Sequence, residues 1–316
     1  MLAIGIDIGG TKILGALVDG SGKVLTEKRV PSPAQDPDQM VDDVVSLIQT
    51  LADEANEPVL AAGVAAAGFI DAEQSTILYA PNLNWRNEPL RERLQERVSI
   101  PVFIENDANA AGWAEYKFGA GRGSKDMVML TLGTGVGGAV VSDGKLRRGG
   151  FGIGGELGHV RVVQDGRLCG CGRKGCVEQY ASGTAVLRAA KKLSNSDGPA
   201  GQRLRQLREE NGELNGHLVY QALLEGDHGA LKIVSDAGGF LGQAMGTITA
   251  VLDPQVYVIG GGLSEAGELI LEPIRQAFIS ELPARGFRPE AKVVTAQFSN
   301  QAGVIGAADL ARESLG

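Results

Sequence analysis

All three cysteines of the chain fall within one run, Cys169-Gly170-Cys171-Gly172-Arg173-Lys174-Gly175-Cys176, and His159, one of only three histidines, lies ten residues before it. Three thiolates and one imidazole are a complete donor set for a tetrahedral zinc ion. The short Cys-x-Cys arm among glycines lets the backbone fold closely around one ion. Redox chemistry is the alternative for clustered thiols, but no Cys-x-x-Cys stands between a strand and a helix. Four protein ligands would fill the tetrahedron and leave no open position. The expected ion is therefore a structural Zn²⁺ on His159, Cys169, Cys171 and Cys176.

A second candidate group is acidic. The run Pro101 to Glu105 reads as a strand and ends in Glu105-Asn106-Asp107-Ala108-Asn109. In open α/β sheets, ligands collect at the carboxyl ends of strands. There Asp107 can accept a proton from a substrate hydroxyl, and Asn106 can orient that substrate. Either residue can also cap the helix that follows, or do both.

Three glycine turns complete the set. Asp7-Ile8-Gly9-Gly10-Thr11-Lys12 lacks the Gly-x-x-x-x-Gly-Lys-Ser/Thr of a Walker A loop. Its chemistry is related. Glycine N–H groups approach phosphate with no Cβ in the way, Thr11 offers a hydroxyl, Lys12 a point charge, and Asp7 a carboxylate for hydrated Mg²⁺. An ordinary type I′ hairpin turn is the competing reading. Gly133-Thr134-Gly135-Val136-Gly137-Gly138 matches Gly-x-Gly-x-x-Gly, but a dinucleotide fingerprint needs a helix straight after the glycines. Here a strand, Ala139 to Val141, follows, so the turn reads as a second phosphate hairpin. Gly260-Gly261-Gly262 lies between a strand and a helix. It either borders a nucleoside or is a plain connecting turn, with Ser264 as the expected helix N-cap.

The elements that must position these groups repeat. Leu2 to Ile8, a Gly turn, Ile13 to Val18 and a second Gly turn form one hairpin pattern, and the pattern returns 124 residues later around Gly133. Two such hairpins predict a duplicated α/β architecture with two lobes, whose turns would face one ligand. Apolar spacing predicts helices over 39–55, 88–98, 109–118, 185–193, 218–225, 232–252 and 301–315. Strands are expected over 59–70, 101–105, 256–259 and 293–298. The polar stretch 194–216 reads as a loop-rich insertion, and the last helix is expected to return to the first lobe.

Composition narrows the function. The hydrophobic share of 43% permits a sizeable core, and 46 glycines in 316 residues point to many tight turns. A net charge of −8 with no basic patch argues against nucleic-acid binding. No run is long and apolar enough for a membrane span, and the N-terminus lacks the form of a signal peptide. A cytoplasmic protein is expected, where clustered cysteines read as metal ligands.

Together these runs resemble the ROK family (repressor, open reading frame, kinase) of sugar kinases. The resemblance rests on Asp7 to Lys12, Glu105-Asn106-Asp107, Leu132 to Gly138, Glu156-Leu157-Gly158-His159 and Cys169 to Glu178, and extends from Ile4 to the C-terminal helix. Pro81-Asn82-Leu83-Asn84-Trp85 and Glu178-Gln179-Tyr180-Ala181-Ser182-Gly183 are similar to its bacterial glucokinase branch. One departure is Ala67-Gly68, where many members have Pro-Gly.

The resemblance implies an actin-like, ribonuclease-H-like duplicated two-lobe ATPase fold. The small lobe would comprise 1–109 plus 299–316, and the large lobe 110–298. It implies ATP-dependent phosphorylation of glucose at the 6-hydroxyl, with Asp107 as general base. Gly68, Asn82, Asn106, Asp107, Glu156, His159 and Glu178 would contact the sugar. Asp7, Gly9, Gly10, Thr11, Lys12, Gly133, Thr134, Gly135, Gly137, Gly138, Gly260, Gly261 and Gly262 would contact ATP, which binds with Mg²⁺. Related readings are a kinase for mannose, fructose, N-acetylglucosamine or N-acetylmannosamine, polyphosphate as donor, and a non-catalytic sugar sensor. A repressor would need a helix-turn-helix before the first strand, where this sequence opens directly on that strand. A homodimer or homotetramer is the expected assembly.

Overall fold

The computed structural model describes residues 1–316, the side chain of Pro81 excepted. The chain opens with β1 (Leu2–Ile8), β2 (Lys12–Val18), β3 (Val24–Pro31), α1 (Pro37–Asp53) and β4 (Val59–Ala66). Three short strands follow, β5 (Phe69–Ile70), β6 (Ile77–Ala80) and β7 (Trp85–Glu88), then α2 (Leu90–Gln95), β8 (Val102–Asn106) and α3 (Asp107–Lys117). Beyond them come β9 (Met127–Leu132), β10 (Val136–Ser142), β11 (Lys145–Leu146), α4 (Glu178–Ala181), α5 (Gly183–Ser194) and α6 (Gln202–Asn211). The chain ends with α7 (Gly216–Leu224), α8 (His228–Leu252), β12 (Val256–Gly260), α9 (Glu268–Glu281), β13 (Lys292–Thr295) and α10 (Ala302–Glu313). Two compact units result: Met1–Val128 with Ala139–Gly155 and Gln297–Gly316, and Met129–Gly138 with Glu156–Ala296. Among the described residues, no helix is long and apolar enough to cross a membrane.

The first unit is built on a sheet in the order β3-β2-β1-β4-β8. β1 pairs antiparallel with β2 and parallel with β4, which pairs parallel with β8. Both faces are covered, so β1 is buried on alternating sides with different residue sizes. Leu2, Ile4, Ile6 and Ile8 enter the large core under α1 with Met40, Val44, Ile48 and Leu51. The opposite face carries Ala3, Gly5 and Asp7, with Ala3 packed on Val304 and Ala308 of α10. Small residues stand there because α10 lies directly on the strands. A Cβ added at Gly5 would lie 1.9 Å from the Val304 carbonyl oxygen, and one at its register partner Gly63 1.9 Å from that of Ala307. The C-terminal helix thus does return to the first unit, as expected.

The second sheet runs β11-β10-β9-β12-β13. β12 and β13 pair parallel, and β10 and β11 antiparallel. Each sheet is mixed and contains a glycine-turn hairpin, the duplicated α/β architecture that the repeated pattern predicts. In the second unit α8 lies against α9 along Gly238, Gly242 and Gly246, a row at i, i+4 and i+8. A Cβ at Gly242 would come 2.5 Å from that of Ala277.

Several elements differ from the sequence reading. The expected loop at 194–216 contains α6, whose Leu204 and Leu207 are buried at helical spacing within an otherwise polar helix. Val59 to Ile70 is not one strand. Gly68 adopts φ +139 and breaks it, starting the small sheet β5-β6-β7. Ser264 does not cap α9. It sits inside a 3₁₀ turn over Gly262–Ala266, its hydroxyl donating to the Gly261 carbonyl, and α9 starts after Gly267.

Candidate functional site

In the first unit the carboxyl ends of three parallel strands carry the candidate groups. Asp7, Ala65 and Glu105 are register partners across β1, β4 and β8, followed one step on by Ile8, Ala66 and Asn106. Asn106 is the N-cap of α3, its side-chain oxygen accepting the Asn109 N–H. Its amide nitrogen donates to the Gly68 carbonyl at 3.1 Å. The capping reading of Asn106 is therefore correct, and the cap locks the strand end to the Gly68 bend. Asp107 is the first residue of the helix, where the helix dipole favours an anion. Burial pushes its carboxyl above the ordinary value, opposed by the Ala108 N–H that its Oδ1 accepts.

Asp7 is shifted in the same direction. Burial, then the Asp107 charge, raise its carboxyl from 3.8 to about 7, while the Lys12 ammonium pulls the other way. Asp7 thus feels a second carboxylate and one cation beside the first glycine turn. That turn is closed by the Gly9 N–H donating to the Lys12 carbonyl at 3.0 Å. Neither Gly9 nor Gly10 adopts a positive φ, so it is not the type I′ hairpin turn. Its outer residues Gly10, Thr11 and Lys12 are exposed. Exposed Asn82 is beside it, its carbonyl oxygen 3.9 Å from where a Gly10 Cβ would stand.

Glu105 is a functional candidate that the sequence reading passed over. It is 5% exposed, yet its carboxylate is saturated with donors. Oε1 accepts the Asn106 N–H and the Asn109 amide, each at 3.0 Å. Oε2 accepts Gln74 at 2.9 Å and the Arg148 guanidinium at 2.7 Å. Glu105 therefore ties the first turn of α3 to the β5–β6 connection and to the glycine-rich loop after β11. Its place beside Asn106-Asp107 is a signal in the sequence. Nothing local marks Gln74 or Arg148 as its partners.

In the second unit the ligand atoms of His159, Cys169, Cys171 and Cys176 all lie within 4.8 Å of one another. Cys171 and Cys176 sulfurs are 3.7 Å apart, and Cys169 Sγ is 3.6 Å from His159 Nδ1. Tetrahedral zinc with Zn–S near 2.3 Å requires ligand separations of about 3.8 Å. The four residues fit that ion. Burial pushes the Cys169 thiol up to about 12 and raises that of Cys176, an unfavourable setting for thiolates that a divalent cation reverses. His159 turns Nδ1 towards the sulfurs and Nε2 towards Glu156, whose Oε2 is 3.8 Å away.

The second and third glycine turns meet in this unit. A Cβ at Gly261, which adopts φ +82, would stand 2.6 Å from the Leu132 carbonyl oxygen, immediately before Gly133. Beside them opens a cavity of about 420 Å³. Gly133, Thr134 and Gly262 line one part of it. The rest of its wall comes from α5 and α7, notably Leu187, His217, Val219 and Tyr220. Gly260 and Gly261 lie behind it, against β9. The helices of this wall were expected from sequence, but periodicity does not say that their side chains share a cavity with a distant glycine turn.

The ROK family model matches residues 3–314. The glucokinase of Streptomyces coelicolor is 42% identical over 313 residues, covering 99% of this chain and 98% of its own. Among solved structures, a ROK family glucokinase from Streptomyces griseus in complex with glucose and AMPPNP superposes with a TM-score of 0.88 at 42% identity, covering 99% of this chain and all of the other. The ROK hexokinase of Thermus thermophilus superposes with a TM-score of 0.82 at 31% identity, covering 100% and 99%.

Proposed function

Since the chain belongs to the ROK family, we propose that it is an ATP-dependent kinase that phosphorylates glucose at the 6-hydroxyl. The observation that carries this reading is Asp107 at the start of α3, with a raised carboxyl and with its charge felt by Asp7, on which Lys12 also acts. The likeness over the whole chain to glucokinases of Streptomyces supports glucose as the sugar.

Phosphoryl transfer to a sugar needs positioning and charge neutralisation more than covalent help. The 6-hydroxyl oxygen forms a bond to the γ-phosphorus as the bond to the β–γ bridging oxygen breaks. The hydroxyl proton passes to Asp107, and ADP leaves. A carboxyl held above its ordinary value by burial is better matched to that task than an exposed one. Asn106 orients the sugar, together with Gly68 and Asn82. Glu156, His159 and Glu178 read the remaining hydroxyls. Each such contact penalises an analogue that lacks the hydroxyl.

Gly9, Gly10, Thr11, Lys12, Gly133, Thr134, Gly135, Gly137 and Gly138 take the phosphates. Gly260, Gly261 and Gly262 border the nucleoside, whose apolar base suits the cavity walled by Leu187, Val219 and Tyr220. Mg²⁺ bound with ATP neutralises phosphate charge, and Asp7 is the carboxylate that would hold its hydration shell. His159, Cys169, Cys171 and Cys176 would hold a structural Zn²⁺, with Nδ1 of His159 facing the sulfurs and Nε2 left for substrate.

An ADP-coupled assay over glucose, mannose, fructose and the N-acetylhexosamines, with ATP and with polyphosphate, tests the reading. The expected result is the highest kcat/KM with glucose and ATP. Asp107→Asn should lower kcat by about 10²–10⁴ while glucose binding persists. Preference for another sugar, or near-normal turnover by Asp107→Asn, would overturn the corresponding assignment.

A further inference from the structure

Glu178 occupies the second glycine turn. Its Oε2 accepts the Val136 N–H at 3.2 Å, in the middle of Gly133–Gly138. The same oxygen stands where Gly135 lacks a side chain: a Cβ there would be 2.4 Å from it. On its other side the turn has no slack. A Cβ at Gly158, in the Glu156–His159 segment, would lie 2.0 Å from the Val136 carbonyl oxygen. The Gly183 N–H further ties the turn down by donating to the Gly133 carbonyl at 2.8 Å. The turn is thus held rigid and capped by an anion.

If the turn takes phosphate and Glu178 reads sugar, as the proposed function has it, the two ligands compete for one carboxylate position. A carboxylate on Val136 consumes an N–H donor and sets a like charge beside incoming phosphates. We infer that Glu178 orders substrate binding. Without sugar it caps Val136 and opposes the nucleotide. A sugar hydroxyl donating to Glu178 draws the carboxylate off the turn and opens it. Sugar and nucleotide then bind with positive coupling, and each strengthens the other by the same factor. A second consequence follows for fidelity. ATP binds weakly until a hydroxyl acceptor is in place, so water has less opportunity to take the phosphoryl group.

The test is a binding measurement on the zinc-loaded protein with magnesium and a non-hydrolysable ATP analogue. For the wild type, 6-deoxyglucose, which has no hydroxyl to phosphorylate, should tighten analogue binding by about tenfold, the size of a coupling near 1.4 kcal/mol. Glu178→Ala should bind the analogue about as tightly without sugar as the wild type does with it. This is a gain of affinity, which misfolding does not produce. Glu178→Gln, which keeps the shape and removes the charge, should show a smaller gain and decides the matter if the alanine variant fails to fold. Analogue affinity unaffected by sugar in the wild type, or no gain in the folded variants, overturns the inference. Turnover of glucose and ATP by the same wild-type preparation separates the two ideas: its absence defeats the functional reading, whereas its presence without the gain defeats only this one.

Discussion

Gly303, the second residue of α10, leaves room for the carboxylate of Asp7: a Cβ at that position would stand 2.6 Å from Asp7 Oδ2. The last helix of the chain thus sets the position of an acid on its first strand. Gly303→Ala should displace Asp7 and lower kcat at least tenfold, at a stability cost of about 1–3 kcal/mol for overpacking. Gly239→Ala is the control. It lies within α8 with nothing near its missing Cβ, so it should gain up to about 1 kcal/mol in helix propensity and leave turnover alone. Steady-state kinetics beside denaturant melts of both variants decide this. Equal kinetics would remove Gly303 from the site.

The raised carboxyl of Asp7 makes stability depend on pH. Its folded value is about 7 against 3.8 for an unperturbed side chain, so the native state keeps a proton that the unfolded chain releases. Its favourable share is complete only below the unfolded value and is lost as pH climbs through about 7. Asp7→Asn has no such loss. Its stability advantage over the wild type should widen by roughly 2–3 kcal/mol between pH 5 and pH 8, while its turnover falls. A difference that stays constant across this range in urea melts would contradict the shift.

Arg148 is the only cation among the four donors to Glu105 described above. Arg148→Met leaves a buried carboxylate with neutral donors alone and should cost about 2–3 kcal/mol, since the arginine itself is partly solvated. Adding Glu105→Gln should recover much of that loss, because the uncompensated charge is then gone. A double-mutant cycle of thermal unfolding measures the coupling. Additive single effects would show that the pair contributes little.

Metal removal should act first on structure. Cys171→Ser, or a strong chelator, should reduce the zinc content from one ion per chain to near zero. Amide exchange should then quicken across Val160 to Val177, where the Val162 and Val177 N–H groups bond Gly175 and Val160. The apparent KM for glucose should rise with it. Zinc retained at one equivalent by Cys171→Ser would remove that thiol from the ligand set.

Much of this molecule was legible locally. The Cys-Gly run with His159 identifies a zinc-type donor set from residue types alone, because all four ligands lie within eighteen residues of chain. The two glycine hairpins and the strand that leads into Asn106-Asp107 are likewise local, since hydrophobic period and turn chemistry act over a few residues. The elements that escaped are those with weak periodicity. β3 alternates only between half-buried and exposed positions, and α6 is polar apart from Leu204 and Leu207.

By itself, then, the sequence determined the chemical types at each site and the alternation of strand and helix that carries them. Tertiary structure alone decided which distant groups share a charge or a space. Packing set Gly303 against Asp7, Arg148 and Gln74 on Glu105, and Glu178 on the Val136 N–H. It also placed Tyr220 and Leu187 around a cavity beside Gly133. The physical reason is that a residue's type fixes what it can donate, accept or exclude, whereas its partner depends on where the chain returns. Whether a carboxylate is a base, a cap or a counter-ion is settled by the few ångströms of space and the donors that return provides.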